Sequence, residues 1–165
     1  MAVSTGEFVR EAVRKPYILY NVVLGNQILP ASIPAMRRDG YLESGTWTKA
    51  LVVRQYPQVL NQGKIDGAKL AALPQTDRQQ LGRVLFQYHC NDCHAAEAGF
   101  AALGHTMRGW TREMIRALVL QPEKAHFFMP PWAGSVEEAE LLTDYLMTIA
   151  PPFPRGMNFG QAQTD

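Results

Sequence analysis

The chain has 165 residues, of which 47% are hydrophobic and 19% charged, and its formal net charge is +1. This length fits one domain, or one small domain with a sizeable extension. The balanced charge gives no sign of the basic surface that binding to nucleic acid requires. No apolar run reaches the roughly 18 residues that a membrane-spanning helix needs. The start of the chain also lacks the pattern of a secretory signal peptide.

Capping patterns and apolar periodicity predict four helices. In a capping box, a Ser or Thr and a Glu or Gln three residues later cap each other's backbone N–H groups. Three pairs fit this pattern, namely Ser4–Glu7, Thr76–Gln79 and Ser135–Glu138. With the apolar stripes that follow and the prolines that end them, they predict helices from Ser4 to Pro16, over 77–95, from Thr111 to Leu120, and from Ser135 to about 149.

The segment 16–75 contains many Gly, Pro and polar turn residues, which predicts a mostly irregular extension with one short helix near 45–55. It also contains large apolar side chains such as Trp47. A solvated linker would not need that apolar surface. We therefore expect residues 1–75 to pack on the domain that follows, and residues 151–165 to form a C-terminal tail.

The only two cysteines in the chain, Cys90 and Cys93, are followed at once by His94. C-x-x-C-H is the attachment signature of c-type haem. Each cysteine sulfur adds to one vinyl group of the porphyrin, and residues three positions apart lie on nearly the same side of a helical turn. The next residue can then place its imidazole at the iron as an axial ligand. The pattern predicts one covalently bound haem c, with thioethers from Cys90 and Cys93 and with His94 on the iron.

A redox or zinc-binding role for the cysteine pair fits the sequence less well. A thioredoxin-like C-x-x-C would need a βαβ context, which the predicted helices do not supply. A zinc site would need two more ligands, and His89, His105 and His126 do not have a paired zinc spacing. Structural cysteines in a binding module without haem are the remaining alternative.

Met129, in the stretch "HFFMPPWAG", is the candidate for the second axial ligand. Met and His together raise the reduction potential of a haem. The two prolines after Met129 fix φ and stiffen a loop that can hold a thioether at a metal. The alternative is a core methionine, as expected at Met114 and Met147, which lie on helical stripes. The other candidate ligands are Met107, Met36, His105 and His126.

Three stretches follow one another in the order typical of a known family. They are "TDRQQLGRVLFQYHCNDCH", "GWTREMIRALVLQPEKAHFFMPPW" and "SVEEAELLTDYLMTIAPP". Together they resemble, over residues 76–150, the class I (monohaem) cytochrome c family of bacteria. The resemblance implies an all-α fold in which helices surround one covalent haem. It also implies that the first and last helices cross closely, at Gly82, Phe86, Leu142 and Tyr145.

The resemblance places further residues near the haem. Trp110 is similar to a tryptophan that hydrogen-bonds a haem propionate, and the alternative is a buried core tryptophan. Phe100, Phe128, Pro130 and Trp132 are expected to line the pocket.

Many members of this family have a proline after the ligand histidine, and its carbonyl accepts a hydrogen bond from the other ring nitrogen. The corresponding stretch here, "AAEAGFAALG", has no proline. We therefore expect a backbone carbonyl within residues 99–103 to orient His94.

These features predict a one-electron carrier rather than an enzyme. The expected partners are redox proteins, either a membrane respiratory complex or another cytochrome, and no nucleic acid. Attachment of haem to C-x-x-C-H generally takes place outside the cytoplasmic membrane. We therefore expect a mature or excised piece of a periplasmic or exoplasmic protein, either free or membrane-anchored. The alternative function is a haem enzyme, or a sensor of gas or peroxide, with an open distal site.

Overall fold

The computed structural model describes residues 29–99, 101–126 and 129–150, together with residues 5, 6 and 9. Apart from those three residues, which are helical, the helix predicted from Ser4 lies outside the described residues, as does the tail 151–165. The described chain is mostly helical with one two-stranded hairpin, which confirms the predicted all-α class. The helices are α1 Ile33–Asp39, α2 Tyr41–Ser44, α3 Thr46–Gln55, α4 Gly67–Ala71, α5 Gln75–His89, α6 Leu103–Thr106, α7 Arg112–Leu120, α8 Pro122–Ala125 and α9 Val136–Ile149; strand β1 Leu60–Asn61 pairs antiparallel with β2 Lys64–Ile65.

Helices α7 and α9 begin where their sequences predict. The Thr111 side chain caps α7 by accepting a hydrogen bond from the backbone N–H of Met114. Ser135 and Glu138 form the complete capping box at the start of α9. Local side-chain chemistry therefore sets both starting points, since each cap satisfies N–H groups that have no partner within the helix.

Helix α5 differs from its prediction at both ends. It begins at Gln75, and its N-cap is Pro74, so the predicted capping box at Thr76 is wrong. Pro74 has an extended backbone, with ψ of 148°, and the helix starts directly after it. The helix ends at His89 instead of near residue 95. The N–H groups of Cys90 and Asn91 both donate to the carbonyl of Phe86, so the regular pattern of helical hydrogen bonds stops at Asn91.

The most extensive helix packing in the described chain joins α5 to α9. A Cβ atom placed on Gly82 would lie 2.0 Å from the carbonyl oxygen of Leu141 and 2.8 Å from Cβ of Tyr145. The backbones approach this closely because glycine has no side chain. The rings of Phe86 and Tyr145 pack beside this point, with centroids 5.5 Å apart. Leu142 is buried in the same core, although the backbone nearest to Gly82 belongs to Leu141.

The described part of the N-terminal extension is more regular than its composition suggests. Helix α3 confirms the short helix predicted near 45–55. Tyr41, Leu42, Val52 and Val59 are fully buried, in one continuous apolar cluster with side chains of α5 and α9. Burial on the following helices, more than local propensity, accounts for this order. No helix within the described ranges is long and apolar enough to cross a bilayer.

Replacing Gly82 by Ala should destabilise the protein by about 1–3 kcal/mol, because the new methyl group collides with the backbone of α9. Helix propensity alone would act in the opposite direction, by about 1 kcal/mol. Urea unfolding of Gly82→Ala measures the change. Gln80→Ala, at an exposed position of the same helix, is the control and should change stability by about 0.5 kcal/mol or less. A Gly82→Ala protein as stable as the wild type would contradict the close approach.

Candidate functional site

The cysteine–histidine motif forms a tight turn at the end of α5. Cys90 caps the helix, and its carbonyl accepts hydrogen bonds from the backbone N–H groups of Cys93 and His94, at 3.1 and 2.9 Å. Cys90 is half-buried against the core, Cys93 is exposed, and no disulfide joins them. The turn therefore presents both sulfurs and one imidazole at a single helix end.

The ring of His94 is held in one tautomer by a backbone carbonyl. Its Nδ1 lies 2.9 Å from the carbonyl oxygen of Ala101. A carbonyl oxygen can only accept, so Nδ1 carries the proton, and in the neutral ring the lone pair is on Nε2. Metal-bound histidines are usually oriented in this way. The contact confirms the expectation that a carbonyl within residues 99–103 orients the ring.

The loop that carries this carbonyl is fixed at its base. The backbone N–H groups of Leu103 and Gly104 donate to the carbonyls of Ala95 and Ala96, at 3.0 and 2.8 Å. A Cβ atom on Gly104 would lie only 2.8 Å from the carbonyl oxygen of Ile149, so this base packs directly on the end of α9. The acceptor of the His94 hydrogen bond is thus tied to the last helix of the fold.

Met129 lies on a non-helical loop between α8 and α9. We call residues 129–134, which begin with the predicted ligand Met129, the ligand loop. Met129 and Pro130 are half-buried, and the following residues up to Gly134 are buried. The backbone N–H of Met129 donates to the carbonyl of His126 at 3.0 Å, and the indole N–H of Trp132 donates to the carbonyl of Ser135 at 3.0 Å. The loop is therefore bonded at both of its ends.

The other methionines occupy different environments. Met107 is a core residue with 2% exposure, and Met36 packs partly buried against the core. Met114 and Met147 are 49% and 38% exposed, so the expectation that they are core methionines is wrong. Branched side chains such as Ile115 and Leu146 take the inward positions of the two helices instead. The alternative ligands His105 and His126 are both exposed.

Three aromatic rings join the end of α5 to the ligand loop. The ring centroids of Tyr41, His89 and Trp132 lie 5.0 to 5.4 Å from one another. His89 directly precedes Cys90, and Trp132 is the third residue after Met129. Burial lowers the pKa of His89 to about 4, so its ring is neutral near pH 7. The fold therefore packs the last residue of α5 against Trp132 of the ligand loop, through a tyrosine from the extension.

Glu138 is a buried carboxylate that binds backbone N–H groups from two parts of the chain. It accepts from Tyr41 and Leu42 at 2.7 Å each, and from Ser135 at 3.0 Å. A Cβ atom on Gly40, where φ is +86°, or on Gly134 would collide with this carboxylate. Burial raises the pKa of Glu138 to about 7, although the three donors act in the opposite direction. The sequence indicates only the local half of this arrangement, the capping box at Ser135.

The remaining predicted pocket residues are only partly placed. Trp110 is half-buried against the core, and Trp132 has 3% exposure. Phe100 and Phe128 lie outside the described residues. No group of three His, Cys, Asp or Glu side chains in the described part of the chain is arranged to hold a metal ion. The donor set at the motif is instead one imidazole and two thiols, the set that covalent haem requires.

Glu138→Gln should lower the free energy of unfolding, because an amide NH₂ would then face N–H donors that need an acceptor. The folded pKa of about 7 lies above the ordinary value of 4.5, so the folded protein keeps a proton that the unfolded chain loses. The stabilisation from this linkage is complete below about pH 4 and falls by roughly 3 kcal/mol as the pH rises to 7.

Urea unfolding at pH 5 and pH 8 measures this dependence. The wild type should lose more stability than Glu138→Gln between these two pH values, since only the wild type titrates at this position. An equal loss in both proteins would contradict the raised pKa.

The central part of the chain matches a protein-family model. Residues 77–146 match the family model described as cytochrome C oxidase, cbb3-type, subunit III, which is a cytochrome c domain. The match includes the turn at Cys90–His94 and the ligand loop. No curated protein and no solved structure matches the chain. The helical architecture agrees with the cytochrome c fold.

Proposed function

From the match of residues 77–146 to a cytochrome c domain, we propose that the protein is a one-electron carrier with a single covalent haem. In this proposal Cys90 and Cys93 form the two thioethers, and His94 and Met129 are the axial ligands. The haem, when bound, supplies the Fe(III)/Fe(II) couple. The protein supplies attachment, ligation and a surrounding of low polarity.

The observation that carries the proposal is the hydrogen bond from His94 Nδ1 to the carbonyl of Ala101. It leaves Nε2 as the only ring nitrogen that can bind a metal, and it makes that nitrogen a stronger donor. A histidine with a merely structural role would not need to be the residue that directly follows the cysteine pair.

The ligand loop supports Met129 as the second ligand. A thioether has no proton to lose, so it can bind the iron near pH 7 without acid–base competition. The buried residues that follow Met129 in the loop keep its C-terminal side dry. Low polarity around a haem favours the less charged ferrous state and raises the potential.

An iron with two protein ligands has no open position for a substrate. This separates a carrier from the alternative function, an enzyme or sensor with an open distal site, which the family match does not favour. Small encounter surfaces are usual for redox partners. The name of the matched family points to a respiratory complex as the partner. We therefore place the protein on the periplasmic or exoplasmic face, where haem is attached.

Met129→Ala should remove the ferric sulfur-to-iron absorption band at about 695 nm. The wild type should show this band, because sulfur is bound to the iron. Met114→Ala is the matched control, since it removes an exposed methionine from a helix outside the loop. A band that persists in Met129→Ala, or a high-spin spectrum in the wild type, would contradict the ligation by Met129.

Replacing both Cys90 and Cys93 by Ala should abolish covalent attachment, because no other cysteine is present to form a thioether. Haem staining after denaturing electrophoresis measures attachment, and the pyridine haemochrome spectrum measures the number of haems. Met129→Ala is the control and should keep its haem through denaturation. Staining that survives the double substitution would rule out the proposed thioethers.

A further inference from the structure

We infer that the N-terminal segment holds the ligand loop in place and that Tyr41 is the positioning residue for Met129. We call residues 37–42 the support segment. This inference rests on the proposed ligation of the iron by Met129. It assigns the segment a role inside the haem site, beyond packing on the domain.

The support segment hydrogen-bonds two backbone groups of the ligand loop. The Arg37 Nε–H donates to the carbonyl of Trp132 at 3.0 Å, and the Tyr41 hydroxyl accepts from the N–H of Ala133 at 3.0 Å. These loop residues are the third and fourth after Met129. Ninety-two or more residues of sequence separate the partners, so the contacts exist only in the folded chain.

The loop depends on these contacts because it has few ways to satisfy its own backbone. Pro130 and Pro131 have no N–H group to donate. Ala133 is completely buried, so its N–H cannot bond to bulk water and needs an acceptor within the protein. The Tyr41 hydroxyl is that acceptor. Without it, the loop would have to move to hydrate this group.

Tyr41 is itself held on several sides. Its backbone N–H donates to Glu138, and its ring is completely buried against Tyr88, His89 and Trp132. Burial raises the pKa of Tyr41 far above its ordinary value, so the hydroxyl remains protonated. A ring fixed in this way presents its oxygen at one position. The hydrogen bond from Ala133 to this oxygen therefore fixes the position of the ligand loop, which carries Met129.

The test uses the complete, haem-loaded protein and the variant Tyr41→Phe, which removes one oxygen and keeps the ring. The ferric band at about 695 nm is followed as the pH is raised until Met129 leaves the iron. We expect retention of Met129 to weaken about tenfold, the effect of one unsatisfied buried N–H. The midpoint pH of band loss should fall by about one unit.

Two further variants separate loop support from general stability. Arg37→Gln removes the second contact at an exposed position, where the core is unaffected, and should move the midpoint in the same direction. Tyr56→Phe changes a half-buried tyrosine that lies near Asp77 at the start of α5, and should leave the midpoint unchanged. If Tyr41→Phe does not fold, the midpoint measured for Arg37→Gln alone tests whether the support segment holds the loop.

The outcomes are distinct. The inference is overturned if the wild type shows the band and Tyr41→Phe has the same midpoint pH as the wild type. If only Arg37→Gln folds, an unchanged midpoint in that variant overturns it. Either result leaves the proposed function intact. An equal shift in Tyr56→Phe also overturns the inference, since the effect would then be one of general stability. A wild type without the band, and with the same spectrum as Met129→Ala, overturns the ligation by Met129 and this inference with it.

Discussion

The close approach of α5 and α9 at Gly82 is the constraint on which the other contacts depend. The carbonyl of Leu141, in α9, occupies the space beside Gly82 that a side chain at this position of α5 would need. Because the two helices are fixed there, the position of α5 sets the position of the turn at Cys90, which lies at its end. Both ends of α9 contact parts of the candidate site. Its start holds the ligand loop through Ser135, and its end carries the base of the loop that orients His94. A wider crossing would move these parts relative to one another.

The buried carboxylate of Glu138 links the extension to this frame. Burying a charged group is unfavourable unless hydrogen bonds compensate for the lost hydration. Here three backbone N–H groups supply part of that compensation, two of them from the start of α2. Helix α2 has only four residues, Tyr41–Ser44, and would not be stable alone. The carboxylate and the short helix therefore each depend on the other.

The family match covers less of the chain than the packed structure around the candidate site does. The family match begins at residue 77, yet Tyr41 completes the aromatic cluster between His89 and Trp132. The hydrogen bonds from Arg37 and to Tyr41 reach the same loop. A fragment that starts at the family boundary would remove the partners of two backbone groups in this buried loop. The extension is thus part of the architecture of the site.

The sequence by itself determined the chemistry that depends on neighbouring residues. The motif Cys90–Cys93–His94, the helix start at Thr111, the capping box at Ser135 and the short helix near 45–55 are local patterns, so they could be predicted. The family resemblance added the expectation of a carbonyl close to His94. The tertiary structure decided what depends on distant residues: the end of α5 at His89, the choice of Ala101, the burial of Glu138, and the position of Tyr41 against the ligand loop. Hydrogen bonds and packing between residues far apart in sequence leave no periodic signal, because the partners meet only when the core forms.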